Sequence, residues 1–195
     1  TVHVNIALIM KFVANYFFKP ADFPPVPRVL EPRNDDFLFD QGPTKGLGKI
    51  QFHDYNRIYA AFTLPNVDIF KEQIAAFKDF LIKASPDAGQ QNDIDFLFSV
   101  GEIFTLVVYG QLILENAALM KVEDDVVDQI FDFMVRDFSR FSLQLYSKPS
   151  SSARQMECCM KMVRKPNVDE GRYQRVLKDH VYALKGAYEM SDNPA

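Results

Sequence analysis

The stretch FLFSVGEIFTLVVYGQLIL, from Phe96 to Leu114, decides the fold class of this chain. Its apolar residues cover every side of a helical wheel, whereas a surface helix carries them along one stripe. A helix that is apolar all round has to be surrounded by other parts of the protein. We therefore expect this stretch to be the central helix of a bundle, with amphipathic segments packed around it.

The same stretch approaches the length of about 20 apolar residues that a membrane-spanning helix requires. Glu102 and Gln111 lie inside it, Gly101 and Gly110 interrupt it, and no basic cluster flanks it. Charged side chains are costly within a bilayer, and basic residues usually flank a span. The pattern thus favours a buried helix of a soluble protein over a membrane span.

Segments on both sides of the central stretch have apolar residues three and four positions apart, as an amphipathic helix does. They predict further helices near residues 2–18, 50–62, 65–84, 123–148, 153–165 and 173–188. Short connections between such helices predict an all-α fold, an antiparallel helical bundle. Several charged residues are expected on its solvated faces: Asp128, Asp132, Arg136, Arg140, Arg154, Lys161, Arg164, Lys165, Arg172, Arg175 and Lys178. For the basic residues from Arg154 to Lys178, binding of a phosphorylated ligand is the alternative.

Residues 19–50 differ from the rest, because six prolines and three glycines exclude a continuous helix there. Apolar residues are interleaved with the prolines, so we expect an extended arm that lies on a surface. The expected organisation is one helical domain over residues 1–195, with an N-terminal helix (1–18), the Pro-rich arm (19–50) and the bundle (51–190). We expect this domain to be the C-terminal part of a longer polypeptide.

The length and the amino-acid composition of the chain limit the functions that it can have. The 195 residues suffice for one domain, and 26 acidic against 22 basic residues give a net charge of −4. Such a balance disfavours binding to nucleic-acid backbones. The two cysteines, Cys158 and Cys159, are adjacent in a predicted helix, where their side chains diverge and do not easily pair. We expect a reducing, cytoplasmic location, with one thiol packed and the other near the surface.

The sequence contains segments that partly resemble phosphate-binding, metal-binding or catalytic motifs, but none of these motifs is complete. The segment GPTKGLGKI, from Gly42 to Ile50, lacks the spacing and the hydroxyl residue of a phosphate-binding loop, which leaves a flexible turn. The three histidines are far apart in sequence and lack metal-site spacing. Glu102 stands in an apolar helix, where a carboxylate needs a partner, exposure, or a raised pKa that would suit a functional acid.

The first residues, Thr1-Val2-His3-Val4-Asn5, are followed by a predicted helix. They resemble the segment that follows the aromatic-Glu-Gly-Thr signature of acyl-CoA dehydrogenases, with the chain starting at its Thr. The long helical remainder resembles the extra C-terminal helical region of the larger members of that family.

This resemblance implies a flavoenzyme whose Glu takes a proton from the α carbon of an acyl-CoA while the flavin takes a hydride from the β carbon. That Glu would precede Thr1, so this chain would carry no catalytic residue. Thr1 would lie against the FAD, and His3 occupies a position that is often polar in the family. The chain would close the flavin site, pack on the catalytic body and support a homo-oligomer. The alternative is a non-enzymatic helical interaction module whose arm, from Phe23 to Phe39, docks on a partner.

Overall fold

A computed structural model describes residues 10–22 and 51–187 of the chain. Within these ranges the secondary structure is helical and contains no strand, which confirms the all-α prediction. The described α-helices are α1 (Val13–Phe18), α2 (Tyr55–Ala61), α3 (Pro65–Lys83), α4 (Ile94–Met120), α5 (Asp124–Tyr146), α6 (Ala153–Met162) and α7 (Glu170–Val176). One 3₁₀ turn precedes α1 and another precedes α4, while a π turn and a 3₁₀ turn follow α7.

Local signals account for where the helices begin. The Asp54 side chain accepts a hydrogen bond from the Asn56 amide at the start of α2, and α3 begins with Pro65. The Asp93 side chain accepts from the amides of Asp95 and Phe96 at the start of α4. These side chains satisfy amides that have no partner inside the helix, and Pro at the first position loses no helical bond.

Helix α5, rather than α4, is the central helix of the bundle, because it packs against α3, α4, α6 and α7. Helix α4 packs on α5 along one side, while α2 and the turn before α1 pack on another. Four of its large apolar side chains remain more than half exposed: Ile94 at 65%, Tyr109 at 58%, Leu112 at 55% and Met120 at 52%. The expectation of a fully surrounded central helix is therefore correct for only part of its circumference.

Aromatic side chains make up much of the core. Phe70 of α3 lies edge-on to Phe131 and Phe138 of α5, with ring centroids 5.2 and 5.4 Å apart. All three rings are completely buried. Such edge-to-face pairs add about 0.5–1.5 kcal/mol each beyond the burial of their area. Phenylalanine side chains, which are abundant in the sequence, thus join α3 to α5.

Several exposure predictions are wrong. Asp128, Asp132 and Arg172 are buried, although solvated positions were expected for them, because they pair with one another. Cys158 and Cys159 are both buried free thiols, since α6 is enclosed by α3 and α5 on both sides of this pair.

The predicted last helix over residues 173–188 is interrupted. Helix α7 ends at Val176, and a π turn over Leu177–Val181 follows it. The apolar stripe expected there is largely solvent-accessible, with Tyr173 39% exposed and Val181 52% exposed. A stripe without a facing element does not sustain a long helix, because most helical stability in proteins comes from packing.

The Pro-rich arm lies mostly outside the described residues, as do residues 1–9 of the predicted first helix. Its beginning is described, and it is not helical from Lys19 to Asp22. The Ala21 amide donates to the Phe52 carbonyl oxygen at 2.9 Å. The residues before and after the undescribed part of the arm therefore lie side by side.

Candidate functional site

An apolar opening lies on α4, beside the turn that precedes α1. We call it the α4 cleft, and it has a volume of about 370 Å³. Its lining is uncharged and nearly all apolar: Phe12, Phe52, Phe104, Thr105, Val108, Tyr109 and Leu112. Clefts of this size and composition usually bind an apolar surface or an apolar ligand.

Aromatic packing builds the floor of the α4 cleft. Phe12 lies edge-on to Phe52 with centroids 5.9 Å apart, and Tyr16 contacts Phe52 and Phe104 at 5.6 and 5.3 Å. The hydroxyl of Thr105 donates to the Gly101 carbonyl oxygen at 2.8 Å. Since this hydroxyl is used within the helix, the cleft presents methyl groups and ring carbons to whatever covers it.

A chain of polar groups lies behind the cleft. The Tyr16 hydroxyl donates to Gln111 Oε1 at 2.6 Å, and Gln111 Nε2 donates to Glu115 Oε1 at 2.7 Å. Tyr16 is 1% exposed, and burial is the main cause that raises the pKa of its phenol above the ordinary value. Tyr59 donates to the Val107 carbonyl oxygen at 2.8 Å, and burial raises its pKa as well. Both phenols therefore act as neutral donors that join α1 and α2 to α4.

A second polar cluster is buried between α3, α5 and α7. Asp128 accepts from the backbone amide of Asn66 at 2.7 Å and pairs with the Arg172 guanidinium. Asp132 accepts from Arg136 Nε at 2.7 Å and lies 3.5 Å from Arg172. Asn66 is near the start of α3, where amides lack helical partners, so Asp128 supplies a cap from another helix. The cluster is structural, because its groups satisfy one another.

Glu102 lies at the edge of an open cavity of about 470 Å³ that Ile94, Phe98 and Gln144 also line. Its side chain is only partly buried. Its carboxylate oxygen Oε2 is nevertheless fully covered, so exposure through a gap in the bundle, one of the alternatives left open for this residue, applies to only part of the side chain. No second titratable group that could work with it as an acid–base partner is part of this lining except Asp95, at the start of the same helix.

The predicted cofactor residues Thr1 and His3 lie outside the described residues, as does the glycine-containing segment from Gly42 to Ile50. His180 is described and lies 3.3 Å from Glu123 on the exposed surface. In the parts of the chain with described positions, no group of three His, Cys, Asp or Glu residues is arranged to hold a metal ion. Nor does the lining of the α4 cleft include a basic side chain that could pair with the diphosphate of FAD.

Sequence reasoning missed the α4 cleft, because it treated the apolar residues of α4 as uniformly buried. A usable signal existed, since Tyr109 and Leu112 are three residues apart and fall on one side of the helix. Phe12 and Phe52, in contrast, reach this place only through tertiary packing. Helix α4 also meets the length and composition of a membrane span, and just over half of its most apolar 18 residues are buried in the bundle.

The chain matches no known protein family, no curated protein and no solved structure.

Proposed function

We propose that this chain is a non-catalytic helical part of an acyl-CoA dehydrogenase-like flavoprotein. Its role is to pack on the catalytic body through the α4 cleft, to help close the flavin site with Thr1 and His3, and to support a homo-oligomeric assembly. The body holds most of the FAD and the acyl-CoA, and the whole protein works in the cytoplasm. The first five residues support the family, because they resemble the segment after its signature.

The single observation that carries the packing role is the exposed apolar lining of the α4 cleft. Tyr109 and Leu112 are more than half exposed, and no charged side chain stands among the lining residues. At about 25 cal/mol per Å² of buried apolar area, covering such a surface favours association. The cleft includes Phe12, which is close in sequence to the residues that the resemblance places against the flavin.

Cofactor content of the longer protein tests the family. The codons immediately before Thr1 should encode Glu-Gly, and the purified protein with its upstream residues should be yellow from bound flavin. A colourless protein whose upstream residues are different would contradict the flavoprotein proposal.

Two matched substitutions test the packing surface in that longer protein. Leu112→Glu places a charge in the α4 cleft and should lower flavin retention and oligomer content, because the carboxylate would have to be desolvated. Leu119→Glu is the control, since Leu119 lies on the same helix, is 49% exposed and is not part of the cleft lining. Equal effects of the two substitutions would contradict a role for the cleft.

The second candidate is the helical interaction module without chemistry. The buried core that joins α3, α5 and α6 favours it, because these described helices pack closely on one another. It predicts a colourless longer protein in which Leu112→Glu abolishes binding to a partner protein. The flavin measurement thus separates the two candidates.

A further inference from the structure

The segment after α6 is attached to the bundle in an unusual way. From Val163 to Ala187 a single residue, Arg172, is buried, and it is 4% exposed. We call residues 163–187 the C-terminal strap. Elements with few buried apolar contacts open at a lower free energy than the core of the same protein. The strap has the burial pattern of such an element.

Side chains of the bundle hold the backbone of the strap. Ser139 Oγ donates to the Arg164 carbonyl oxygen at 2.8 Å and accepts from its amide at 2.9 Å. Asn66 Oδ1 accepts from the Asn167 amide at 2.7 Å, and Asn66 Nδ2 donates to its carbonyl oxygen at 3.1 Å. These bonds involve the strap backbone, so none of them depends on a strap side chain.

The specific attachment is the guanidinium of Arg172. It contacts the carboxylates of Asp128 and Asp132, and its Nε donates to Gln129 Oε1 at 3.2 Å. It also donates to the Asn167 carbonyl oxygen at 3.2 Å, which links α7 to the extended part of the strap. A planar guanidinium presents several donors in fixed directions, which suits a socket made of two carboxylates and an amide oxygen.

We propose that the C-terminal strap opens and closes as one unit, and that the insertion of Arg172 between Asp128 and Asp132 is its latch. When the strap opens, all three charged groups reach water together, so no charge stays buried without a partner. Removing Arg172 from the closed state would instead leave the buried Asp128 carboxylate without its counter-charge, while Asp132 would keep only Arg136. In the open state, the carboxylates of Asp128 and Asp132 are exposed and can bind a guanidinium group. In the closed state, Arg172 occupies this place.

Amide hydrogen exchange of the full chain tests this proposal without any substitution. The amides of Arg164 and Asn167 should exchange at matching, intermediate protection, whereas the Phe138 amide in α5 should be much more strongly protected. Protection of the strap amides equal to that of Phe138 would overturn the proposal, because the strap would then open only when the whole domain unfolds.

Arg172→Ala tests the latch. It should speed exchange at Arg164 and Asn167 by at least about tenfold while Phe138 changes little. Arg175→Ala is the matched control, since Arg175 lies on the same helix and pairs with Asp125, but its side chain is 55% exposed. Its effect on the strap should be less than about fivefold, as is usual for exposed pairs. Equal effects, or equally faster exchange at Phe138, would contradict the latch.

Guanidinium chloride at low millimolar concentration tests the socket in Arg172→Ala. The free ion should slow exchange at Asn167 again, whereas sodium chloride at the same ionic strength should not. Equal responses to the two salts would refute a socket that recognises guanidinium.

Discussion

At the scale of single residues, Gly110 shows how closely two helices are joined. A Cβ atom at this position would lie 2.4 Å from Tyr59 Oη and 3.1 Å from Phe70 Cε1. Tyr59 is itself held by its hydrogen bond to the Val107 carbonyl oxygen. The glycine thus allows α2, α3 and α4 to share one contact point, and a glycine in the middle of a helix is otherwise unfavourable by about 1 kcal/mol.

Gly110→Ala should therefore destabilise the chain by about 1–3 kcal/mol, because Tyr59 would have to move from a packed site. Urea unfolding followed by circular dichroism measures this change. Gly171→Ala is the control, since it adds the same methyl group to α7, where the nearest atoms are the side-chain ends of Asp169 and Arg175. That variant should unfold at the wild-type midpoint or slightly above it, because alanine favours a helix more than glycine does. A Gly110→Ala variant as stable as wild type would refute the close contact.

Buried tyrosines predict the behaviour of the chain at alkaline pH. Burial raises the pKa of Tyr16, Tyr55 and Tyr59 above the usual value near 10. Above pH 10 the unfolded chain has lost these protons, whereas the folded chain keeps them. The folded state then binds more protons, so the free energy of unfolding falls as pH rises. Stability should begin to fall near pH 9, because burial also raises the pKa of the Cys159 thiol to about 12, and should fall more steeply above pH 10.

Urea midpoints measured at several pH values check this expectation. The Tyr16→Phe variant removes one phenol, so its loss of stability above pH 10 should be shallower than that of wild type. Parallel curves for the two proteins would show that Tyr16 does not contribute.

At the scale of elements, the start of α6 joins a local signal to a tertiary contact. Ser152 and Gln155 form a capping box, in which the Ser152 hydroxyl accepts from the Gln155 amide and Gln155 Oε1 accepts from the Ser152 amide. Gln155 is also buried and exchanges hydrogen bonds with Gln90, while its Nε2 donates to the Ala84 carbonyl oxygen at 3.2 Å. One side chain therefore begins α6 and joins it to the connection between α3 and α4.

The two residues of the capping box should differ in their contribution to stability. Ser152→Ala should cost about 1 kcal/mol, the usual value of an N-cap. Gln155→Ala should cost about 2–4 kcal/mol, because it also removes two hydrogen bonds from buried Gln90 and the side-chain donor of the Ala84 carbonyl oxygen. Urea unfolding of both variants provides the comparison, and equal losses would contradict the tertiary role of Gln155.

At the scale of the whole molecule, the exposed lining of the α4 cleft predicts self-association of the isolated chain. Size-exclusion chromatography with light scattering should show a molecular mass that rises with protein concentration. The reason is that burying the exposed apolar surface between two copies lowers the free energy. Leu112→Glu should shift the chain towards the monomer, whereas Leu119→Glu should not. A wild-type chain that stays monomeric at all concentrations would indicate that the cleft needs no cover.

Much of the helical framework is predictable from the sequence. Pro65, Asp93 and Asp54 lie where the structure begins helices, since a cap or a first-turn proline acts through its immediate neighbours. The interruption after Val176 was not predictable from periodicity, because the apolar spacing continues through it. The candidate site was predicted still less well, since Thr1 and His3 stay untested predictions and the α4 cleft was missed.

The sequence by itself determined the fold class and the helix starts, because helical periodicity and capping depend on residues within one turn of each other. Only the tertiary structure decided which polar groups are inside. Asp128 and Asp132 follow the spacing of a solvated face, yet Arg172, some forty residues later, pairs with both and makes their burial possible. The converse holds for Tyr109 and Leu112, which are apolar but exposed because no described element packs over them. Burial depends on the partner that arrives from elsewhere in the chain, which periodicity does not encode.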